Sequence, residues 1–226
     1  MSYKPDYQYL PPFSAHVLTP LYDAVNSLVG LGPRFLKKVL AVAEIRSGDV
    51  VVDIGCGTGV LLALGKKQFP NARFIGIDPD AQALEIAKRR FRKNDLDVEI
   101  VRAFGESTGL PDASVNVIMS SLALHHLPEH AKVGAIREMY RILKPGGEII
   151  IADFGPTRMK FITYILPLFE NVEYLKGNLK GMLVQYLHKA RFENVQILKE
   201  CYPSIQIIKA KKESRIKNES TEHSNR

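Results

Sequence analysis

An α/β fold, a largely parallel sheet with helices on both faces, is what this sequence predicts, on three observations. In Val50, Val51, Val52, Asp53, Ile54, Gly55, Cys56, Gly57, Thr58 and Gly59, a β-branched run gives way to glycines at alternate positions, and a helical pattern opens at about Val60. That order reads as a buried strand, a tight turn and a helix N-terminus, where a nucleotide-like ligand can meet the edge of a sheet. Further strand-like runs then alternate with helical patterns as far as Phe154, the rhythm of parallel βα units. Finally, Asp78 closes the second strand one βα unit after Asp53, at the separation expected of an acid that accepts bonds from ribose hydroxyls.

Length and composition agree with one well-buried domain. The chain has 226 residues, 46% of them apolar, and a formal net charge of +7. The parts of a signal peptide are absent from Met1 to Leu21, and no apolar run approaches the ~20 residues of a membrane span, so a cytoplasmic chain is expected. Cys56 and Cys201 form neither a disulfide framework nor a metal set. Much of the positive excess lies between Lys88 and Lys93 and after Ile208. Such charge could steer RNA or an anionic membrane, but cations that suit the dipole of a helix end explain it as well. No stable nucleic-acid partner is expected.

In chain order, Met1 to Pro12 is rich in Tyr and Pro and reads as an extended arm. Helical spacing recurs over Val17 to Val29 and Pro33 to Ala43, with Gly30 and Gly32 between. These helices precede the sheet and can cover its pocket, which Tyr22 either faces or packs beneath. After the strand Val50 to Ile54 and its helix come a second strand, Asn71 to Asp78, a helix to about Arg90, and a third strand at about Val98 to Arg102. A turn-rich crossover follows from Ala103 to Pro111, where Glu106 can accept from an adenine amino group and Phe104 or Leu110 can touch its ring. Val115 to Ser121 reads as the fourth strand.

His125 and His126 follow that strand. Adjacent histidines point apart on a regular backbone and no ligand set accompanies them, so no metal site is expected. One of the pair can orient substrate or take a proton while the other is structural. The helix from Glu129 to Leu143 meets a stop at Lys144, Pro145, Gly146 and Gly147, and Glu148 to Phe154 forms the fifth strand. Asp153 sits near its carboxyl end and either orients an acceptor or caps a turn. The apolar run Phe161 to Phe169, broken by Pro167, suggests a lid or pocket wall over a substrate with an apolar part, with Phe161 and Tyr164 as contacts. Gly177 to Ala190 reads as a helix, Phe192 to Leu198 and Ile205 to Ile208 as an antiparallel edge hairpin, and residues beyond Lys209 as mobile.

The glycine turn, the strand end Gly76 to Pro79, the crossover Gly105 to Pro111, the loop His125 to Leu127 and the stop Leu143 to Gly147 together resemble the class I S-adenosylmethionine-dependent methyltransferases, in the manner of the ubiquinone and menaquinone biosynthesis group. The resemblance implies a Rossmann-like seven-stranded sheet ordered 3-2-1-4-5-7-6 with strand 7 antiparallel. It implies a cap at residues 1–44, a methyltransferase domain at 45–211 with 155–177 as a lid or insertion, and a basic tail at 212–226. S-adenosylmethionine is the implied cofactor. Gly55, Gly57 and Gly59 would pass its methionine portion, Asp53 would place the aminoacyl end, Asp78 would hold the ribose, and Glu106 would stand where the family often has Asp beside the adenine. Cys56, Pro79, Ser107 and Ser120 complete the candidate cofactor set. The sequence departs from the family at Val115 and Asn116, where many relatives carry an aromatic residue followed by Asp.

Methyl transfer needs few catalytic side chains, because the sulfonium carries its own leaving group and the acceptor need only approach in line. An oxygen or carbon acceptor also needs a base, for which His125, His126 and Asp153 are the candidates. The expected partner is a small-molecule or lipid-like substrate, with peripheral membrane contact conceivable and a monomer or homodimer equally compatible. Two alternatives stand beside this reading. One is a nicotinamide-dependent oxidoreductase, although the acid before the glycines departs from G-x-G-x-x-G. The other is a noncatalytic RNA- or membrane-binding protein on the same scaffold.

Overall fold

The computed structural model describes residues 5–7, 30–156, 172–201 and 205–214. Its centre is a seven-stranded sheet: β1 (Val50–Ile54), β2 (Arg73–Asp78), β3 (Glu99–Arg102), β4 (Val115–Ser121), β5 (Leu143–Phe154), β6 (Phe192–Cys201) and β7 (Ile205–Lys212). The order across the sheet is β3-β2-β1-β4-β5-β7-β6. The first five strands run parallel, and β7 runs antiparallel to both β5 and β6. The described helices are α1 (Pro33–Leu40), α2 (Val60–Gln68), α3 (Ala81–Lys93), α4 (Glu129–Ile142), α5 (Val172–Leu179) and α6 (Met182–Lys189), with a 3-10 turn at Leu124–His126. None of the helices among these residues is long and apolar enough to cross a membrane.

Strand alternation divides the core between the two faces of the sheet. Val51, Val117, Ile150 and Ile207 pack with Phe35 and Val39 of α1, Leu62 of α2 and Leu84 and Phe91 of α3. Their sequence neighbours Val52, Ile118, Ile151 and Ile208 pack with Ile136 and Met139 of α4 and Leu183 and Leu187 of α6. The central strands are therefore apolar on both sides at mid-length, which is why Val50 to Val52 of β1 and Ile149 to Ile151 of β5 read as β-branched runs.

Several boundaries differ from the sequence reading, each for a local reason. The chain rejoins the sheet at Leu143, opposite Val115, before the glycines rather than after them, and the register shifts between Val115 and Val117. A Cβ on Gly147 would lie 2.8 Å from the Asn116 carbonyl oxygen, so the missing side chain lets β5 run tight against β4. The helix expected over Gly177 to Ala190 is two helices, broken where Gly181 takes φ +74°. The chain beyond Lys209 was expected to be mobile, yet β7 continues to Lys212 and buries Ala210 completely. The lysines remain compatible with burial by extending to partners: Lys209 Nζ lies 2.9 Å from Glu148 and 2.7 Å from Glu44, and Lys212 Nζ donates to the carbonyls of Tyr140 and Leu143. The helix expected at Val17 to Val29, the run Phe161 to Phe169, and the contacts assigned to Tyr22, Phe161 and Tyr164 lie outside the described residues.

Candidate active site

The carboxyl ends of β1 and β2 open onto a cavity of about 230 Å³, lined by Asp53, Gly55, Cys56, Gly57, Asp78, Pro79, Glu106 and His126 among others. The turn after β1 shapes its floor. Gly55 has φ +76°, and a Cβ there would come within 2.3 Å of Ala123 Cβ. Gly57 has φ +51°, and among the described residues nothing beyond its chain neighbours lies within 4 Å of where its Cβ would be. The first glycine thus brings the turn against the loop after β4, and the second presents bare backbone to open space. Arg90 of α3 braces this turn, donating from Nε to the Thr58 carbonyl at 2.9 Å.

Two acids stand at its edge. Asp78, 7% exposed, accepts from the Gly57 N–H and the Asp80 N–H, both at 2.9 Å. Each of its oxygens keeps further acceptor capacity. Burial raises its pKa to about 6 against the pull of these two hydrogen bonds. Asp53 is 2% exposed, and its Oδ1 is buried with no hydrogen-bond partner among the described residues. Burial, reinforced by the charge of Asp78, pushes its pKa to about 8. Burial also drives the Cys56 thiol far above its ordinary range, leaving an inert apolar wall.

At the other end Glu106 lines the cavity beside Phe104, whereas Leu110 does not. A residue absent from the sequence prediction joins them: the Tyr7 hydroxyl donates to Glu106 Oε1 at 2.7 Å, and its ring stands edge-on to Phe104. No periodicity marks Tyr7, which stands in a Tyr- and Pro-rich stretch of sequence. Gly59, Ser107 and Ser120 fall outside the lining. Gly59 instead lets α2 approach α3, since its Cβ would meet Phe91 and Ala87. Ser107 closes the crossover by donating its N–H to the Phe104 carbonyl at 3.0 Å. Ser120 is buried, and its neighbour Ser121 lines the cavity, as alternation along β4 requires.

The histidines divide. His126 lines the cavity; burial, with His125 and Lys132 nearby, lowers its pKa to about 3, so its imidazole is neutral at physiological pH. His125 lies behind it, ring centroids 4.0 Å apart, edge-on to Phe154. Its Nδ1 is 2.8 Å from Asp153 Oδ1, and its backbone N–H donates to Asp153 Oδ2 at 3.3 Å. Burial pushes the Asp153 carboxyl up, but the His125 charge and the hydrogen bonds from His125 and the Phe154 N–H outweigh it and hold the group below its usual range. An ionised Asp153 is an acceptor only, so Nδ1 of His125 is the donor in this pair. Neighbouring strand ends create this pair: Ser121 at the end of β4 lies opposite Ala152 in β5. Lys132, fully buried in α4, donates to the Tyr174 carbonyl of α5, and burial lowers its pKa to about 8.

A cavity at this edge, with bare turn backbone between acceptor carboxyls at either end, suits a ligand carrying an amine, a diol and an aminopurine. Asp53, with a buried oxygen lacking a described partner, and Gly57, with room above it, meet that requirement. The strand order is that of the Rossmann-like class I methyltransferase fold, and a methyltransferase-domain family model matches residues 51–147. The chain is similar to the demethylmenaquinone methyltransferase of Lactobacillus johnsonii, 33% identical over 141 residues that cover 60% of this chain and 57% of the relative. Less than two thirds of that relative is therefore spanned. Among solved structures, a methyltransferase from Aquifex aeolicus shares the fold at TM-score 0.70 and 21% identity, over 87% of this chain and 98% of the other. Phosphoethanolamine N-methyltransferase 2 of Haemonchus contortus, in complex with S-adenosyl-L-methionine, does so at TM-score 0.69 and 16% identity, over 89% and 58% respectively.

Proposed function

We propose that this protein transfers a methyl group from S-adenosylmethionine to a small-molecule acceptor with an apolar or lipid-like part, by direct in-line attack. The observation that carries the proposal is the cavity, where the glycine turn, Asp53 and Asp78 converge at the ligand-binding edge of the sheet. When bound, S-adenosylmethionine supplies an electrophilic methyl on a positively charged sulfur. Asp53 would receive its ammonium end, Asp78 its ribose hydroxyls and Glu106 its adenine amine. The neutral ring of His126 faces the same cavity without adding a competing positive charge.

His125 and Asp153 form a base of the orienting-carboxylate type. Neither residue lines the cavity; Asp153 fixes the ring, and where an oxygen or carbon acceptor reaches past His126, Nε2 of His125 would take the proton that methyl transfer releases. An amine acceptor draws on the pair only to lose a proton after transfer. The likeness to a demethylmenaquinone methyltransferase favours a quinone-precursor acceptor, and the run Phe161 to Phe169 favours one with an apolar part. Incubation with methyl-labelled S-adenosylmethionine and separate quinone-precursor, phospholipid and amine panels tests this reading. Label should enter an organic-extractable small molecule. Turnover confined to protein or RNA would refute it.

A further inference from the structure

Glu106 is held from two sides. Its stem runs over Gly134 of α4, where an added Cβ would lie 3.0 Å from Glu106 Cγ and 3.4 Å from its Cβ. Its carboxylate receives the Tyr7 hydroxyl at 2.7 Å, across a sequence separation of 99. Tyr7 is fastened in turn: its ring stands edge-on to Phe104 and to His130, at centroid distances of 6.5 and 5.8 Å, and the adjacent Asp6 meets His130 Nε2 at 3.0 Å. Tyr7, Phe104 and Glu106 all line the same end of the cavity.

A glutamate has one more rotatable bond than an aspartate, so a carboxylate that reads a base edge must be restrained to discriminate. Both restraints act on Glu106, Gly134 by admitting its stem and Tyr7 by occupying one side of its head. We infer that Tyr7 is a positioning residue for purine selectivity: it orients the Glu106 carboxylate toward the 6-position of the cofactor's base, favouring a 6-amino donor over a 6-oxo acceptor. The inference rests on the proposed cofactor site and adds to it a residue from outside the sheet domain. An ionised carboxylate gains a hydrogen bond from an amine and meets repulsion from a carbonyl oxygen. Restraint sharpens that difference, because a mobile carboxylate can turn away from the wrong base.

The test is calorimetric titration of the full chain with S-adenosylhomocysteine and with S-inosylhomocysteine, in which the 6-amino group is replaced by oxygen. The unmodified protein should prefer the adenosyl compound by about tenfold or more. Tyr7→Phe, which removes only the hydroxyl, should reduce that ratio severalfold with little change in melting temperature, and Glu106→Ala should abolish it. A purely structural role for Tyr7 would weaken both ligands equally and leave the ratio intact; that result, or an unchanged ratio in Glu106→Ala, overturns the inference. Failure of the unmodified protein to bind either compound would instead overturn the cofactor reading and this inference with it.

Discussion

Cofactor binding should release a proton, and Asp53 is its source. The carboxyl has a pKa near 8 in the folded protein, so at pH 7 it is about nine-tenths protonated. An ammonium group brought beside its buried oxygen favours the anion and lowers that pKa. If it falls below about 6, roughly 0.8 to 0.9 proton leaves per ligand bound at pH 7, and only about 0.1 at pH 9. Asp78 adds little at pH 7, because its value near 6 already leaves it mostly ionised. Affinity should rise by up to about tenfold per pH unit below pH 8 and level off above it. Calorimetry with S-adenosylhomocysteine in two buffers of different ionisation enthalpy reads the released proton directly, and Asp53→Asn should abolish it. Enthalpies at pH 7 that do not depend on the buffer would refute the reasoning. The same shift fixes a sign for stability: the folded value lies above the ordinary 3.8, so the contribution is fully present below about pH 4 and is lost as pH rises toward and through 8. Relative to Asp53→Asn, the unliganded protein should lose melting temperature over that window.

Two further predictions separate packing from binding and base from bystander. Gly55→Ala combines a left-handed backbone with a 2.3 Å overlap and should cost about 3 kcal/mol or more, lowering Tm by about 6 °C or more in a domain of this size. Gly57→Ala meets no neighbour among the described residues and should cost about 1 kcal/mol while weakening S-adenosylhomocysteine at least tenfold; equal melting temperatures for the two variants would contradict the assigned geometry. Once an oxygen or carbon acceptor is found, His125→Ala and Asp153→Asn should lower kcat by about 10² to 10⁴ with S-adenosylhomocysteine affinity nearly unchanged. Full turnover in both would exclude the pair from the chemistry.

The parallel half of the fold was legible because its signals are local. Val50 to Val52 and Ile149 to Ile151 pack on both faces of the sheet and so read as continuous apolar runs, and glycines mark the turn. What was not legible depends on contacts between distant segments. Gly59 carries the same motif signal as Gly57, but its space is filled by Phe91 and Ala87 of the next helix, so the motif alone cannot tell ligand clearance from helix packing. His125 and Asp153 were each legible as candidates, while their pairing required β4 and β5 to end side by side. Lys209 to Lys212 resembled a charged tail because their hydrogen-bond partners, Glu44, Glu148 and the carbonyls of Tyr140 and Leu143, lie far away in sequence. Arg90 sat within a basic block whose charge could be explained by the helix end alone, although its guanidinium reaches the glycine turn.

The most direct test of the central claim is titration of the purified protein with S-adenosylhomocysteine, with NAD in parallel. Saturable binding of S-adenosylhomocysteine, reduced at least tenfold in a folded Asp78→Asn variant, and no comparable binding of NAD are the results this account predicts. Binding of NAD without S-adenosylhomocysteine would contradict it and make the turn after β1 a dehydrogenase site.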